Sequence, residues 1–169
     1  WAMLRGLNGS PVPWCKIDQP KMIVTFPGYD RHFTLLSELG FEMIQVKMTK
    51  NGPDMDAVEK AVLNPTVKGI LFVPTYSNPT GDTASDETVR RLASMKTAAS
   101  DFTIFADDAY LVHHLVDNPV KPKNLLHACQ EAGNPDRVYL FSSTSKTTFA
   151  SAGLGFMATS VANLAYISK

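Results

Sequence analysis

The chain has 169 residues, 44% of them hydrophobic, which suits one domain with a sizeable core. Its 16 basic residues balance 16 acidic ones without a basic run, which argues against a nucleic-acid or anionic-membrane partner. No stretch approaches the roughly 20 apolar residues of a membrane span, the first residues carry no signal-peptide pattern, and Cys15 and Cys129 form no CxxC, so a reducing, cytoplasmic setting is expected.

Trp1-Ala2-Met3-Leu4-Arg5-Gly6-Leu7 reads as a helix already under way, and the helical pattern at 161–168 runs on without a cap. Both ends read as those of a piece of a longer protein. Between them, apolar runs alternate with helical patterns. Strands are predicted at 22–26, 42–48, 69–74, 103–107, 137–142 and 154–159. They are rich in Val, Ile, Leu and Phe without strict alternation, as strands buried on both faces are. Helices are predicted at 30–39, 54–63, 85–99, 123–132 and 161–168, with Asp54 and Ser85 as N-caps and Gly40 as a stop. Asn51-Gly52-Pro53 and Asn134-Pro135-Asp136 read as turns. The alternation predicts a three-layer α/β/α fold with a mostly parallel sheet. The last strand follows its predecessor with no clear helix between, so it is expected to be antiparallel. No repeat or linker divides residues 1–169, which form a single domain in this reading.

In open α/β sheets, ligands sit outside the carboxyl ends of the strands. The chemically interesting residues all fall there. Tyr29 and His32 follow the first strand, Asn78-Pro79-Thr80-Gly81 the third, Asp107-Asp108-Ala109-Tyr110 the fourth and Ser143-Thr144-Ser145-Lys146 the fifth. This set matches what pyridoxal phosphate (PLP) asks of a protein: a Schiff-base lysine, a carboxylate for the pyridine nitrogen, donors for the ring oxygen, an aromatic stack and a phosphate cradle. Lys146 is the lysine candidate. Asp107 is the candidate carboxylate, with Asp108 as rival; neighbours at a strand end face opposite ways, so one of them reaches the ring. Tyr110 and Asn78 can hydrogen-bond the ring oxygen. Tyr29 can stack on the ring. Ser143 and Ser145 can hold the phosphate through their hydroxyls. His32, His113 and His114 read as structural histidines, since a metal pair needs further ligands and none is seen.

These motifs, in this order, resemble those of the fold-type-I PLP enzymes of the class I/II aminotransferases, from about Pro27 to Gly155. The runs Pro27-Gly28-Tyr29-Asp30-Arg31-His32-Phe33 and Ser145-Lys146-Thr147-Thr148-Phe149-Ala150 resemble a divergent bacterial subgroup of aspartate aminotransferases, some labelled MocR-like. The resemblance implies a covalent PLP link at Lys146, Asp107 at the pyridine nitrogen, Asn78 and Tyr110 at the ring oxygen, Tyr29 on the ring face and Ser143 at the phosphate. It implies amino transfer between an amino acid and a 2-oxo acid, in a homodimer that shares its sites. It also implies that residues 1–169 are the central part of a large domain, not competent alone, lacking an upstream segment and a C-terminal small domain.

The chain departs from that pattern in one respect. The family's phosphate-binding arginine falls eight residues after the lysine; here Leu154 stands there, and 151–156 contains no arginine. The resemblance also implies a seven-stranded sheet, of which six strands are read here and the seventh is expected upstream. A second reading is the aminotransferase-like PLP-binding sensor domain of a GntR/MocR-type transcription regulator, and a third is another PLP reaction on the same fold.

Overall fold

A computed structural model describes residues 2–148 and 153–168. A seven-stranded sheet is formed by β1 (Lys21–Phe26), β2 (Glu42–Thr49), β3 (Gly52–Pro53), β4 (Val67–Phe72), β5 (Thr103–Asp107), β6 (Val138–Ser143) and β7 (Gly155–Ala158). The order is β3-β2-β1-β4-β5-β6-β7. β1 pairs in parallel with β2 and β4, and the parallel set continues through β5 to β6. β7 runs antiparallel to β6, as its short connection predicts. The helices are α1 (Ala2–Arg5), α2 (Asp30–Glu38), α3 (Met55–Ala61), α4 (Asp86–Ser94), α5 (Leu125–Glu131) and α6 (Val161–Ile167), with a 3-10 turn at Trp14–Lys16.

Parity along the strands divides the core in two, because successive side chains point to opposite faces. Ile23, Ile70, Phe72, Ile104, Ala106 and Val138 face α4 and α5, where they meet Val89, Leu92, Leu125 and Ala128. Met22, Val24, Leu71, Phe105 and Tyr139 face the other way, onto Leu36 of α2 and onto Trp14 and Phe41. Trp14 meets Phe41 and Phe105 edge-on, each with centroids 6.2 Å apart. Its Nε1–H donates to Asp101 Oδ2 at 2.7 Å, and Lys68 Nζ donates to Asp101 Oδ1 at 2.8 Å. Burial pushes the Asp101 carboxyl up, but the bonds from Lys68 and Trp14 outweigh it and hold it below the usual carboxylate range. This buried trio closes the edge of the sheet where β4 and β5 begin.

Helix starts follow the expected capping chemistry. Asp54 accepts from the N–H groups of Asp56 and Ala57, and Ser85 from that of Thr88. Three expectations need correction. The helix predicted over 85–99 ends at Ser94. Met95 turns to an extended ψ of 144° and is buried, while Arg137 Nη1 takes the carbonyls of Ala93 and Met95 at 3.0 and 2.8 Å. Those freed carbonyls find their cation far along the chain, beyond the reach of local pattern. Asn51-Gly52-Pro53 is more than a turn: Gly52 and Pro53 pair antiparallel with Thr49 and Met48 and supply the seventh strand. The N-terminal helix is confined to Ala2–Arg5 among the described residues, ending before Gly6 at φ +81°.

Candidate active site

The chain runs from β1 outward to β2, then crosses back so that β4 lies on β1's other side. The strand order therefore reverses between β1 and β4, the kind of switch point where open α/β sheets bind ligands. β1, β4, β5 and β6 are adjacent and parallel, so the segments after them share one edge of the molecule. Tyr29, Asn78, Asp107, Tyr110, Ser143, Ser145 and Lys146 all lie on that edge.

Asp107 ends β5 and shares the parity of Phe105, so it faces the α2 side. There His32 Nε2 lies 3.0 Å from Asp107 Oδ2. The histidine is nearly buried, with 10% of its side chain exposed against 30% for Asp107. Tyr29 precedes the first residue of α2, and its ring stands edge-on to His32 with centroids 5.3 Å apart and planes at 80°. The turn that delivers Tyr29 depends on Gly28: any Cβ there would collide with the Thr25 carbonyl. His32, which the sequence suggests is a satisfied structural histidine, is thus the residue that holds Asp107. Its place three residues after Tyr29, at the start of a helix, was the available signal.

Asp108 is separated from Asp107 by the sheet. It is 5% exposed and borders an apolar cavity of about 220 Å³ lined by Val89, Leu125, Leu140 and Thr75. Its Oδ1 and Thr75 Oγ1 have no hydrogen-bond partner among the described residues. Burial pushes the Asp108 carboxyl above its usual range; the Thr75 hydroxyl, close by but outside hydrogen-bond geometry, opposes this, and the neighbouring Asp107 charge adds to it. The rival carboxylate therefore belongs to the opposite face.

Asn78 and Tyr110 are both half-buried. Asn78 stands in a loop closed at its base by Ala84 N–H donating to Pro74 O at 2.8 Å, and nearer the tip by Ser77 N–H donating to Asp82 O at 2.8 Å. Tyr110 lies in the turn that follows Asp108, whose own N–H donates to Phe141 O at 2.8 Å and so keeps the turn on β6.

Ser143 ends β6 on the same face as Phe141 and pairs with Gly155. Ser145 and Lys146 sit in the turn beyond. Thr144 braces that turn: its N–H donates to Leu154 O at 3.0 Å, and its hydroxyl accepts from Leu154 N–H at 2.9 Å. Gly153 packs so closely on Ser145 that a Cβ would strike the Ser145 hydroxyl. Lys146 is exposed and makes no ion pair among the described residues. Thr144 was not singled out in the sequence; its role as a brace depends on a residue ten positions away. Residues 149–152, part of the small-residue stretch after the lysine, lie outside the described residues. No group of three or more His, Cys, Asp or Glu residues is placed to hold a metal ion among the described residues.

Comparison with known proteins adds a family to this geometry. The family model described as aspartate amino-transferase matches residues 1–169. The chain belongs to the aspartate aminotransferase family. The aspartate aminotransferase of Corynebacterium glutamicum is 48% identical over 163 residues, covering 96% of this chain and 38% of that protein. A putative aminotransferase of Mycolicibacterium smegmatis is 45% identical over 170 residues, covering all of this chain and 40% of that protein. A crystal structure of an aspartate transaminase from C. glutamicum superposes with a TM-score of 0.96 at 46% identity, covering 99% of this chain and 40% of the other. The chain thus spans about two fifths of the length of these relatives. The fold, a mostly parallel sheet with an antiparallel last strand, is the one this chain shares with that transaminase. No helix among the described residues is long and apolar enough to cross a membrane.

Proposed function

We propose that this chain is the central part of the large domain of a PLP-dependent aminotransferase, and that Lys146 binds the cofactor covalently. The observation that carries the reading is the Asp107–His32 pair at 3.0 Å, on the same edge as Ser143 and Lys146 and, by strand parity, on the same face as Ser143. The donor set fits the ring of PLP. It holds a partly exposed carboxylate fixed by one neighbour, a phenol and an amide on the next segments, and an aromatic side chain at a switch point. At the phosphate end it offers the hydroxyls of Ser143 and Ser145, with Leu154 where the family pattern has arginine.

When bound, PLP supplies an electron sink for bond cleavage at the α-carbon of an amino acid. Asp107 holds a proton on the pyridine nitrogen, because a carboxylate favours the charged form of an adjacent base. His32, at 3.0 Å from Asp107 Oδ2, would hold that carboxylate in place for the role. Tyr110 and Asn78 donate to the ring oxygen, Tyr29 covers the ring face, and Ser143 and Ser145 hydrogen-bond the phosphate. The Lys146 amine takes and returns the proton at the α-carbon.

The substrates are an amino acid and a 2-oxo acid, with aspartate as the first donor to test, since the C. glutamicum relative carries that name at 48% identity. The same relative favours an enzyme over the sensor-domain reading. We place the protein in the cytoplasm as a homodimer. The test is an assay of the full-length protein with L-aspartate, 2-oxoglutarate and PLP. Formation of glutamate and oxaloacetate, lost in Lys146→Ala, supports the reading. Cofactor binding with no amino transfer from any donor would return it to the sensor alternative.

A further inference from the structure

The two residues assigned above to the ring oxygen, Asn78 and Tyr110, stand on separate segments; of two adjacent histidines, His113 meets Tyr110 and His114 meets Tyr76, two residues before Asn78. Tyr76 lies two residues before Asn78 and has φ +51°, a left-handed conformation rare for a tyrosine and held only where the surroundings enforce it. Its N–H donates to Thr83 Oγ1 at 3.2 Å inside the loop. Its hydroxyl lies 2.9 Å from His114 Nδ1, and the two rings meet edge-on with centroids 6.0 Å apart. The loop is itself stiff: Gly81 N–H donates to Ser77 O at 2.6 Å, and Ser77 N–H donates to Asp82 O at 2.8 Å. A stiff loop gripped at Tyr76 carries Asn78 with it. On the other side, His113 stands edge-on to Tyr110 with centroids 5.7 Å apart, and its N–H donates to Tyr110 O at 2.9 Å.

We infer that His114 is a positioning residue: through Tyr76 it ties the Asn78 loop to the segment that carries Tyr110, so the two ring-oxygen donors are set as one unit. This rests on the cofactor reading above. It assigns a purpose to the strained tyrosine and to its histidine partner.

The test compares the full-length, PLP-loaded protein with its variants Tyr76→Phe, His114→Ala, His114→Asn, the Tyr76→Phe/His114→Ala double variant and Asn78→Ala. It reads the PLP dissociation constant and the position of the visible cofactor band. Hydrogen exchange at the Ser77 and Gly81 amides is read in the cofactor-free protein. One neutral hydrogen bond of this kind is worth about 3–10-fold in binding. Tyr76→Phe and His114→Ala should each weaken PLP binding by about that factor. The double variant should be no worse than either single one, because both remove the same contact. His114→Asn, which can place an amide near the Nδ1 position, should recover part of the loss. The two amides should exchange faster in His114→Ala. If Asn78→Ala weakens binding while Tyr76→Phe and His114→Ala leave affinity, band and exchange unchanged, the inference is overturned and the cofactor reading stands. A lower melting temperature with unchanged affinity overturns it equally, since that is what a merely structural contact would give. If Asn78→Ala itself changes neither affinity nor band, the assignment of Asn78 fails and the inference falls with it.

Discussion

Asp107 and Asp108 are neighbours in sequence with opposite fates: Asp107 meets His32 on the α2 side, and Asp108 is buried against α4 and α5 on the other. The pleat of β5 accounts for this, since Asp107 continues the Phe105 face and Asp108 the Ala106 face. One carboxylate is held by a histidine and is 30% exposed. The other is sealed away, with one oxygen that has no hydrogen-bond partner among the described residues.

The roles of the two should separate by substitution. Asp107→Asn removes the charge that would keep a pyridine nitrogen protonated, and amino transfer should fall by at least ~100-fold, the scale of a lost charge-assisted interaction at a reacting group. His32→Ala leaves the charge and loses its holder, so a smaller loss of about 10-fold is expected. Steady-state kinetics of the full-length variants check both. Equal losses for Asp107→Asn and Asp108→Asn would contradict the separation.

Asp108 gives a prediction in pH. Its folded pKa lies above the ordinary carboxylate value, so the native state holds the proton more tightly than the unfolded chain. Its contribution is therefore lost as pH rises through the folded value, and ionisation weakens the fold at neutral pH. Asp108→Asn mimics the protonated acid. It should melt a few degrees higher than the parent at neutral pH, and that gain should vanish below the usual carboxylate range. Thermal unfolding across pH measures it, and a gain that persists in acid would count against the account.

Much of this architecture was legible because it is local. β5 was read with both ends as observed, the N-caps Asp54 and Ser85 were named from their residue types, and the opposed directions of Asp107 and Asp108 follow from strand parity alone. Which aspartate faced which layer was not legible, because that depends on whether α2 or α4 and α5 cover the face. His32 was passed over since its partner lies 75 residues away, and His114 since its partner lies 38 residues away. The end of α4 was read too long for the same reason. Residues 95–99 carry helical composition, but the carbonyls are taken by Arg137, some forty residues on. Periodicity records which residues are apolar, and it is silent on distant polar side chains that stop an element.

The Lys68–Asp101–Trp14 trio predicts a stability effect far from the candidate site. Lys68→Met leaves a buried carboxylate without its cation, and breaking a buried pair from one side costs about 3–5 kcal/mol. The Asp101 pKa is depressed in the folded state, so its stabilisation is present above the ordinary carboxylate range and is lost as pH falls through the folded value. The deficit of Lys68→Met should thus be largest near neutral pH and shrink in acid. Urea unfolding at several pH values measures it, while the affinity for PLP should be unchanged.

Lys146 is the residue proposed to carry the cofactor. The most direct measurement is to load the full-length protein with PLP, reduce it with borohydride, digest it and locate the modified lysine by mass spectrometry. The account predicts one phosphopyridoxyl group, on the peptide containing Ser143-Thr144-Ser145-Lys146, absent when Lys146 is replaced by alanine. A label on another lysine, or no label on a protein that is folded and saturated with PLP, would contradict it.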